Sequence, residues 1–277
     1  MNYAVTIPRI SNLAFQKICR YVVEHYGINL TEAKRNLVEN RLHRRIKQLD
    51  LISFEEYTDH LFSSQGRLEL GMLCDYLSTN KTYFYREPAH FTFLEELITA
   101  IPTNQSLQIW SAACSGGDEV YTITSILEEK RKQKPFNYQV LGTDISSKMI
   151  REANEGIYDE ARISPLPLYL KRQYFKQLAD ETGKARYEAS EAIRKQVSFK
   201  KFNLIKDMAS VTVKYDIIFC RNVLIYFKEE TKKQVVNDLV KALKPNGYLI
   251  LGHCEGMICR DTELKQIRPS IFQKPAK

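Results

Sequence analysis

Three stretches carry residue types whose spacing could do chemistry. The first reads Ile109-Trp110-Ser111-Ala112-Ala113-Cys114-Ser115-Gly116-Gly117-Asp118-Glu119 and is followed by Leu141-Gly142-Thr143-Asp144-Ile145. An apolar run, a glycine turn, room for one helix, a second apolar run and a closing carboxylate form the pattern that presents a ribose diol to an acid at the end of a second parallel strand. Asp144 stands 27 residues after Gly117, which accommodates the helix. The GxGxxG dinucleotide fingerprint is missing, and Asp118 and Glu119 would repel a pyrophosphate. A nucleoside cofactor without phosphates fits better, and S-adenosylmethionine has a ribose, an adenine and a sulfonium cation. Read without Asp144, the same turn is equally an ordinary strand–helix turn whose acids complement a helix dipole.

The second stretch, Cys220-Arg221-Asn222-Val223-Leu224-Ile225-Tyr226-Phe227, follows the strand-like run Tyr215–Cys220. Asn222 and Tyr226 could bond polar groups, whereas Val223 and Leu224 have packing chemistry. The [DNS]-P-P-[YF] loop of base-directed amino methyltransferases is absent here, which counts against a nucleic-acid N-methylase. The third stretch, Asn80-Lys81-Thr82-Tyr83-Phe84-Tyr85-Arg86-Glu87, interleaves polar and aromatic residues; taken alone it is an aromatic hinge as readily as a pocket lining.

The elements that must position these residues fall into two groups. Residues 11 to about 90 read as helical. Phe15, Ile18, Cys19 and Val22 form one stripe ending at Gly27, and Val38, Leu42, Ile46 and Leu49 form a second, with Thr31 as its expected cap. Ser53 and Glu56 make a capping box for a third helix, and Leu68–Leu77 suggests a fourth. From Ser106 the period changes: strand-like runs at Leu107–Cys114, Tyr138–Ile145, Val197–Phe202, Tyr215–Cys220 and Tyr248–Gly252 alternate with helical ones, a βαβ pattern implying a parallel sheet covered on both faces. Pro245-Asn246-Gly247 reads as a turn. The boundary is expected between 85 and 105, giving a helical domain over 1–90 and an α/β domain over 91–277. The segment 159–196, with Pro165, Pro167 and Gly183, breaks the alternation and reads as a small insertion or hairpin.

Composition bounds the reading. The 277 residues are 44% hydrophobic and 27% charged, enough for a real core. No run approaches the roughly 18 apolar residues of a membrane span, and Met1–Ile10 lacks the apolar stretch of a secretory signal, so membrane insertion and secretion are not expected and a cytoplasmic place is. Six cysteines without a CxxC pair argue for reduced thiols, with Cys114 and Cys254 read as packing residues, and five histidines without ligand spacing predict no metal. A net charge of +8 favours an acidic partner, whether nucleic acid, membrane surface or protein. Lys34, Arg41, Arg44 and Arg45 lie opposite the second helix's apolar stripe. Such a stripe is a solvated face or a docking face.

Taken together, NKTYFYRE, IWSAACSGGDEVYT, LGTDIS, FCRNVLIYF and GYLILGHCE, with NLVENRLHRRI and SFEEY in the helical part, resemble the chemotaxis receptor methyltransferase family (CheR), S-adenosylmethionine-dependent protein-glutamate O-methyltransferases. The resemblance spans nearly the whole chain. It implies an N-terminal all-helical domain plus a doubly wound, Rossmann-like methyltransferase domain with a small inserted subdomain. It further implies cofactor contacts at Asn80, Thr82, Arg86, Glu119, Asp144, Asn203, Leu204, Asn222 and Val223, with Asp144 at the nucleoside and Arg86 near the transferring methyl. Arg86 and Tyr226 are then the candidates for orienting a substrate carboxylate, S-adenosylhomocysteine is the product, and the basic stripe docks onto the cytoplasmic helical region of chemoreceptors. A monomer without nucleic-acid partners is expected. The chain departs from the family at Ser115–Thr122, where STGEEPYS is usual, and at Phe84-Tyr85, where two phenylalanines are; Glu119 is kept. Two other readings stay open: a methyltransferase for RNA or a small molecule, and a non-catalytic cofactor-binding signalling module.

Overall fold

A computed structural model describes residues 7–179 and 183–276, so part of the segment behind the leader expectation, and residues 180–182 within 159–196, lie outside it. The chain divides into two compact units, one of residues 1–79 with 226–231 and one of 80–225 with 232–277.

The helical unit contains α1 (Asn12–Tyr26), α2 (Arg35–Gln48), α3 (Phe54–Leu61) and α4 (Arg67–Leu77). Ser11 caps α1, and Gly27 closes it at φ 68°, its N–H donating to the Val23 carbonyl. The capping box at α3 is half reciprocal. The Ser53 hydroxyl accepts from the Glu56 N–H at 3.1 Å, but the Glu56 carboxylate reaches back to the N–H of Ile52 rather than of Ser53. Thr31 does not cap α2: it precedes a short 3₁₀ turn, Glu32–Lys34, makes no side-chain cap bond, and α2 starts at Arg35. The core holds Phe15, Ile18, Val22, Val38, Leu42 and Ile46 from the two expected stripes, whose Cys19 and Leu49 are only partly buried, together with Tyr57, Leu61, Leu73 and Leu77.

The second unit opens with α5 (Pro88–Ala100), where proline occupies the first turn and needs no donor. Next come β1 (Ser106–Ala112), α6 (Asp118–Gln133), β2 (Asn137–Asp144), α7 (Ser147–Glu155) and β3 (Ile157–Asp159). There follow α8 (Glu160–Ile163), α9 (Leu168–Tyr174), β4 (Phe175–Ala179), β5 (Ala185–Ala189), α10 (Glu191–Arg194), β6 (Val197–Lys201) and β7 (Tyr215–Cys220). The chain finishes with α11 (Glu229–Ala242), β8 (Leu243–Leu251), β9 (Lys265–Arg268) and β10 (Ile271–Gln273). The main sheet runs β6-β2-β1-β7-β8-β10-β9, and β3-β5-β4 form a separate antiparallel sheet within the segment that broke the sequence alternation. The strands from β6 to β8 are parallel, while β10 and β9 add an antiparallel edge.

Two expectations about extent change. The units divide between Thr79 and Asn80, earlier than the 85–105 window, because Phe84 and Phe91 bury in the sheet unit's core; an apolar stripe does not say which core it joins. β8 begins at Leu243 and passes through Pro245–Gly247, with Asn246 at φ 61° bending it locally.

Candidate active site

Because β1 lies between β2 and β7, the chain direction across the sheet reverses around it, and the loops leaving these carboxyl ends face one crevice. At the end of β2, Asp144 is largely buried and anchored. Its Oδ2 accepts from the Ser115 N–H and its Oδ1 from the Ser146 N–H, both at 2.9 Å. Carboxylate oxygens accept more than one bond each, so this anchoring orients Asp144 without closing it to a diol. Beside it, Ser115 also reaches the Asn80 carbonyl at 3.4 Å, tying the glycine turn to the 80–87 segment. Across β6, the Asn203 side chain caps its own turn, its Oδ1 accepting from the Ile205 N–H at 2.9 Å, and Leu204 is buried. The donor set fits S-adenosylmethionine: fixed carboxylates for a diol and a cation, with apolar Leu204 and Val223 on flanking loops.

The glycines of the turn sit against the protein itself where a side chain would be. A Cβ on Gly116 would meet the Arg162 guanidinium and Glu152, and one on Gly117, at φ 91°, would meet the Tyr158 hydroxyl at 2.9 Å and Ala153. They admit the protein's own packing. Asp118 belongs to the same support, fully buried and held by Arg162.

On the other side of β1 runs a network that sequence reasoning missed. The Ser111 hydroxyl donates to Glu119 Oε1 at 2.7 Å, and Arg221 Nη1 donates to Glu119 Oε2 at 2.7 Å. Arg221 Nη2 reaches Glu87 Oε2 at 3.0 Å and also the Arg86 carbonyl. The Asn222 amide then donates to Glu87 Oε1 at 3.1 Å. Burial works to raise the Glu87 carboxyl, but the hydrogen bond from Asn222 and the charge of Arg221 outweigh it and hold it below the usual range. Arg221 sat inside a quoted motif, but nothing in its neighbours announced two carboxylates, one from a residue 134 positions earlier.

Arg86 is half-buried, its Nη1 donating to the Lys81 carbonyl at 2.9 Å and its guanidinium 5.8 Å from the Tyr83 ring centre. Thr82 is half-buried on the same segment. Tyr226, the other predicted orienting residue, is in the helical unit, where its carbonyl accepts from the Asn29 N–H at 2.7 Å and the Lys34 ammonium lies 5.7 Å from its ring.

The basic stripe is less free than its spacing suggests. Arg41 donates to the Leu77 and Ser78 carbonyls at 2.7 and 2.9 Å, Arg45 pairs with the buried Glu69 at 2.7 Å, and Lys34 donates to the Asn29 carbonyl. Arg44 alone of the four is exposed. Cys254 is exposed rather than packed, whereas Cys114 is buried. Among the described residues, Glu87, His90 and His253 bring potential metal-ligand atoms within 4.8 Å of one another, a grouping that sequence spacing hides. Glu87 there is already engaged by Arg221 and Asn222. Burial, reinforced by the Arg221 charge, pushes the His90 imidazole down to about 3.

The family model described as "CheR methyltransferase, SAM binding domain" matches residues 80–272, and "CheR methyltransferase, all-alpha domain" matches residues 13–78. The chemotaxis protein methyltransferase of Borreliella burgdorferi is 40% identical over 283 aligned residues, covering 99% of this chain and 96% of that relative. Its counterpart in Salmonella typhimurium is 34% identical over 247, covering 89% and 84%. Chemotaxis protein methyltransferase 2 of Pseudomonas aeruginosa is 33% identical over 260, covering 93% and 91%.

Proposed function

The chain belongs to the CheR family of S-adenosylmethionine-dependent methyltransferases, and from that premise we propose that its acceptor is a glutamate side chain of a chemoreceptor, converted to a methyl ester in the cytoplasm. The acceptor follows from the kinship to chemotaxis protein methyltransferases, and the observation that supports a cofactor site is the pair of held carboxylates flanking β1, Asp144 bonded by two backbone amides and Glu119 by Ser111 and Arg221. Asp144 would hold the ribose, and Glu119 the methionine end. Asn80, Thr82, Asn203, Leu204, Asn222 and Val223 complete the contacts.

Bound there, S-adenosylmethionine supplies an electrophilic methyl group on sulfur and departs as S-adenosylhomocysteine once the acceptor oxygen has taken the methyl. A carboxylate acceptor is already ionised at neutral pH, so no general base is required. The protein's work is orientation: acceptor oxygen, methyl carbon and sulfur must lie in line, and such alignment supplies about 7–11 kcal/mol of a barrier. Arg86 orients the acceptor carboxylate without a tight pair, because its guanidinium is shared with the Lys81 carbonyl. Docking uses the outer side of α2, where exposed Arg44 makes contact while Arg41, and Lys34 in the turn before the helix, add positive field; the charge of Arg45 is met by Glu69.

Competition between acceptors tests this reading. With methyl-labelled cofactor, receptor cytoplasmic fragments should take label and lose it when their glutamates are replaced by alanine. Label passing to RNA or small molecules instead would overturn it.

A further inference from the structure

We infer that Glu255 is the positioning residue of the β7 exit loop, the carboxylate that fixes where Asn222 and Val223 present themselves to the cofactor. Glu255 lies just beyond β8, and β8 pairs with β7 so that Cys220 faces Leu251; the two strands deliver their exit loops side by side. From there the Glu255 side chain turns inward and is buried. Its Oε2 accepts from the Asn222 N–H at 2.7 Å and from the Gly252 N–H at 2.8 Å, and its Oε1 accepts from the Ile225 N–H at 3.3 Å. One carboxylate thus satisfies amides at both ends of the 222–225 loop and the amide that ends its own strand.

Two further features show that the loop's shape depends on this clasp. Asn222 sits at φ 59°, a left-handed conformation uncommon outside glycine but one that asparagine accepts, and here it is braced by its neighbours. Its backbone is held by Glu255 and its side chain by Glu87, so it is fixed from both sides. Position 252 also has no room for a side chain: a Cβ there would lie 2.6 Å from Glu255 Oε2 and from Asn222 Nδ2, and 2.9 Å from the Asn222 nitrogen. Glycine at 252 is the condition for the carboxylate to reach the loop. Glutamine substitutes only in part: with its carbonyl oxygen at the Oε2 place it carries no charge and its NH₂ faces the Ile225 N–H, a donor against a donor.

The inference rests on the proposed reading only where turnover on a receptor is measured, so the test has two arms. In the first, Glu255→Gln and Gly252→Ala are assayed below their melting temperatures for kcat and for S-adenosylhomocysteine affinity by calorimetry. Displacing a loop at the reacting end costs about 10²-fold in kcat. Cofactor affinity should fall only a few-fold, since Asp144 and Glu119 are untouched, and the double variant should be no worse than the poorer single one. A purely structural role would lower the melting temperature and leave kcat of the folded enzyme intact. Folded variants with kcat within about twofold of wild type would overturn the inference. The second arm, hydrogen exchange on the unaltered protein, needs no turnover and stands if a variant fails to fold. Slow exchange at the Asn222 amide is expected, and exchange at the rate of an open loop would overturn the inference. Wild-type protein that methylates no receptor yet shows this protection would refute the acceptor assignment and leave Glu255 in place.

Discussion

Replacing Arg221 by methionine perturbs the site at a buried charge shared by two carboxylates. The Arg221 side chain is 2% exposed, and it pairs with Glu87 and Glu119, each 13% exposed. Methionine keeps much of the apolar stem but loses the guanidinium, whose carbon lies 5.4 Å from the Phe91 ring centre, so the loss is chiefly of charge and donors. Removing one member of a buried ion pair costs about 3–5 kcal/mol, because the partner's charge stays buried and unpaired. For a unit of this size each kcal/mol moves the melting temperature by about 2–4 °C, which gives a fall of about 6–20 °C. The deficit also has a pH signature. Burial already works to raise the Glu87 carboxyl, and without Arg221 the main opposing charge is gone. A carboxyl raised on folding destabilises at high pH and ceases to do so once protonated, so the gap between variant and wild type should narrow from pH 7 toward pH 5. Arg221→Lys should rescue little, since one ammonium cannot reach both carboxylates and the Arg86 carbonyl in the same geometry. Scanning calorimetry of wild type, Arg221→Met and Arg221→Lys decides. A fall below about 2 °C, or a deficit unchanged with pH, would refute the argument.

Four other outcomes are expected. Asp144→Ala removes the acceptor of two backbone amides and the ribose contact, so S-adenosylhomocysteine affinity by calorimetry should fall about 10–100-fold, at about 1.4 kcal/mol per decade; unchanged affinity would remove Asp144 from the site. Arg86→Ala should lower kcat about 10²-fold while changing cofactor affinity less than about threefold, and equal losses would make Arg86 a cofactor ligand alone. His90 is neutral in the fold with its pKa depressed to about 3 from 6.5, so its contribution is fully present above pH 6.5 and lost as pH falls toward 3; the unfolding free energy from denaturant titration should drop by up to about 1.4 kcal/mol per pH unit in that window, and His90→Phe should flatten the slope. Arg44→Glu should raise the KM for receptor severalfold at low salt, with the difference shrinking at high salt and kcat unchanged; an effect on kcat alone would contradict docking at α2.

The sequence made legible what periodicity and capping encode. The stripe Val38, Leu42, Ile46 lies in the helical core, and the runs at β1, β2, β6 and β7 became the parallel strands around the crevice. Strand β9 escaped notice because every residue of Lys265–Arg268 is exposed and no alternation marks it as a sheet edge, and β10 because its three residues, Ile271–Gln273, are too short a run to show a period although Ile271 and Phe272 are buried. Of the proposed site, the place of Asp144 at the end of β2 was readable, because an acid closing a second βαβ strand is marked by the run before it. Arg221 and Glu255 were not, because their partners lie far along the chain and only the fold makes each a hub. The same blindness affected the basic stripe: spacing puts Arg41 and Arg45 on one face, but not the Leu77 carbonyl or the Glu69 carboxylate that occupy them.

The central claim is the chemistry of the product, and one measurement reads it directly. Membranes carrying chemoreceptors are incubated with the protein and methyl-labelled S-adenosylmethionine, and the labelled receptor is then treated with base. A glutamate methyl ester releases its label as volatile methanol, which is the result this account predicts. Label that stays on the receptor after base treatment, or a receptor that takes none while S-adenosylhomocysteine binds tightly, would contradict it.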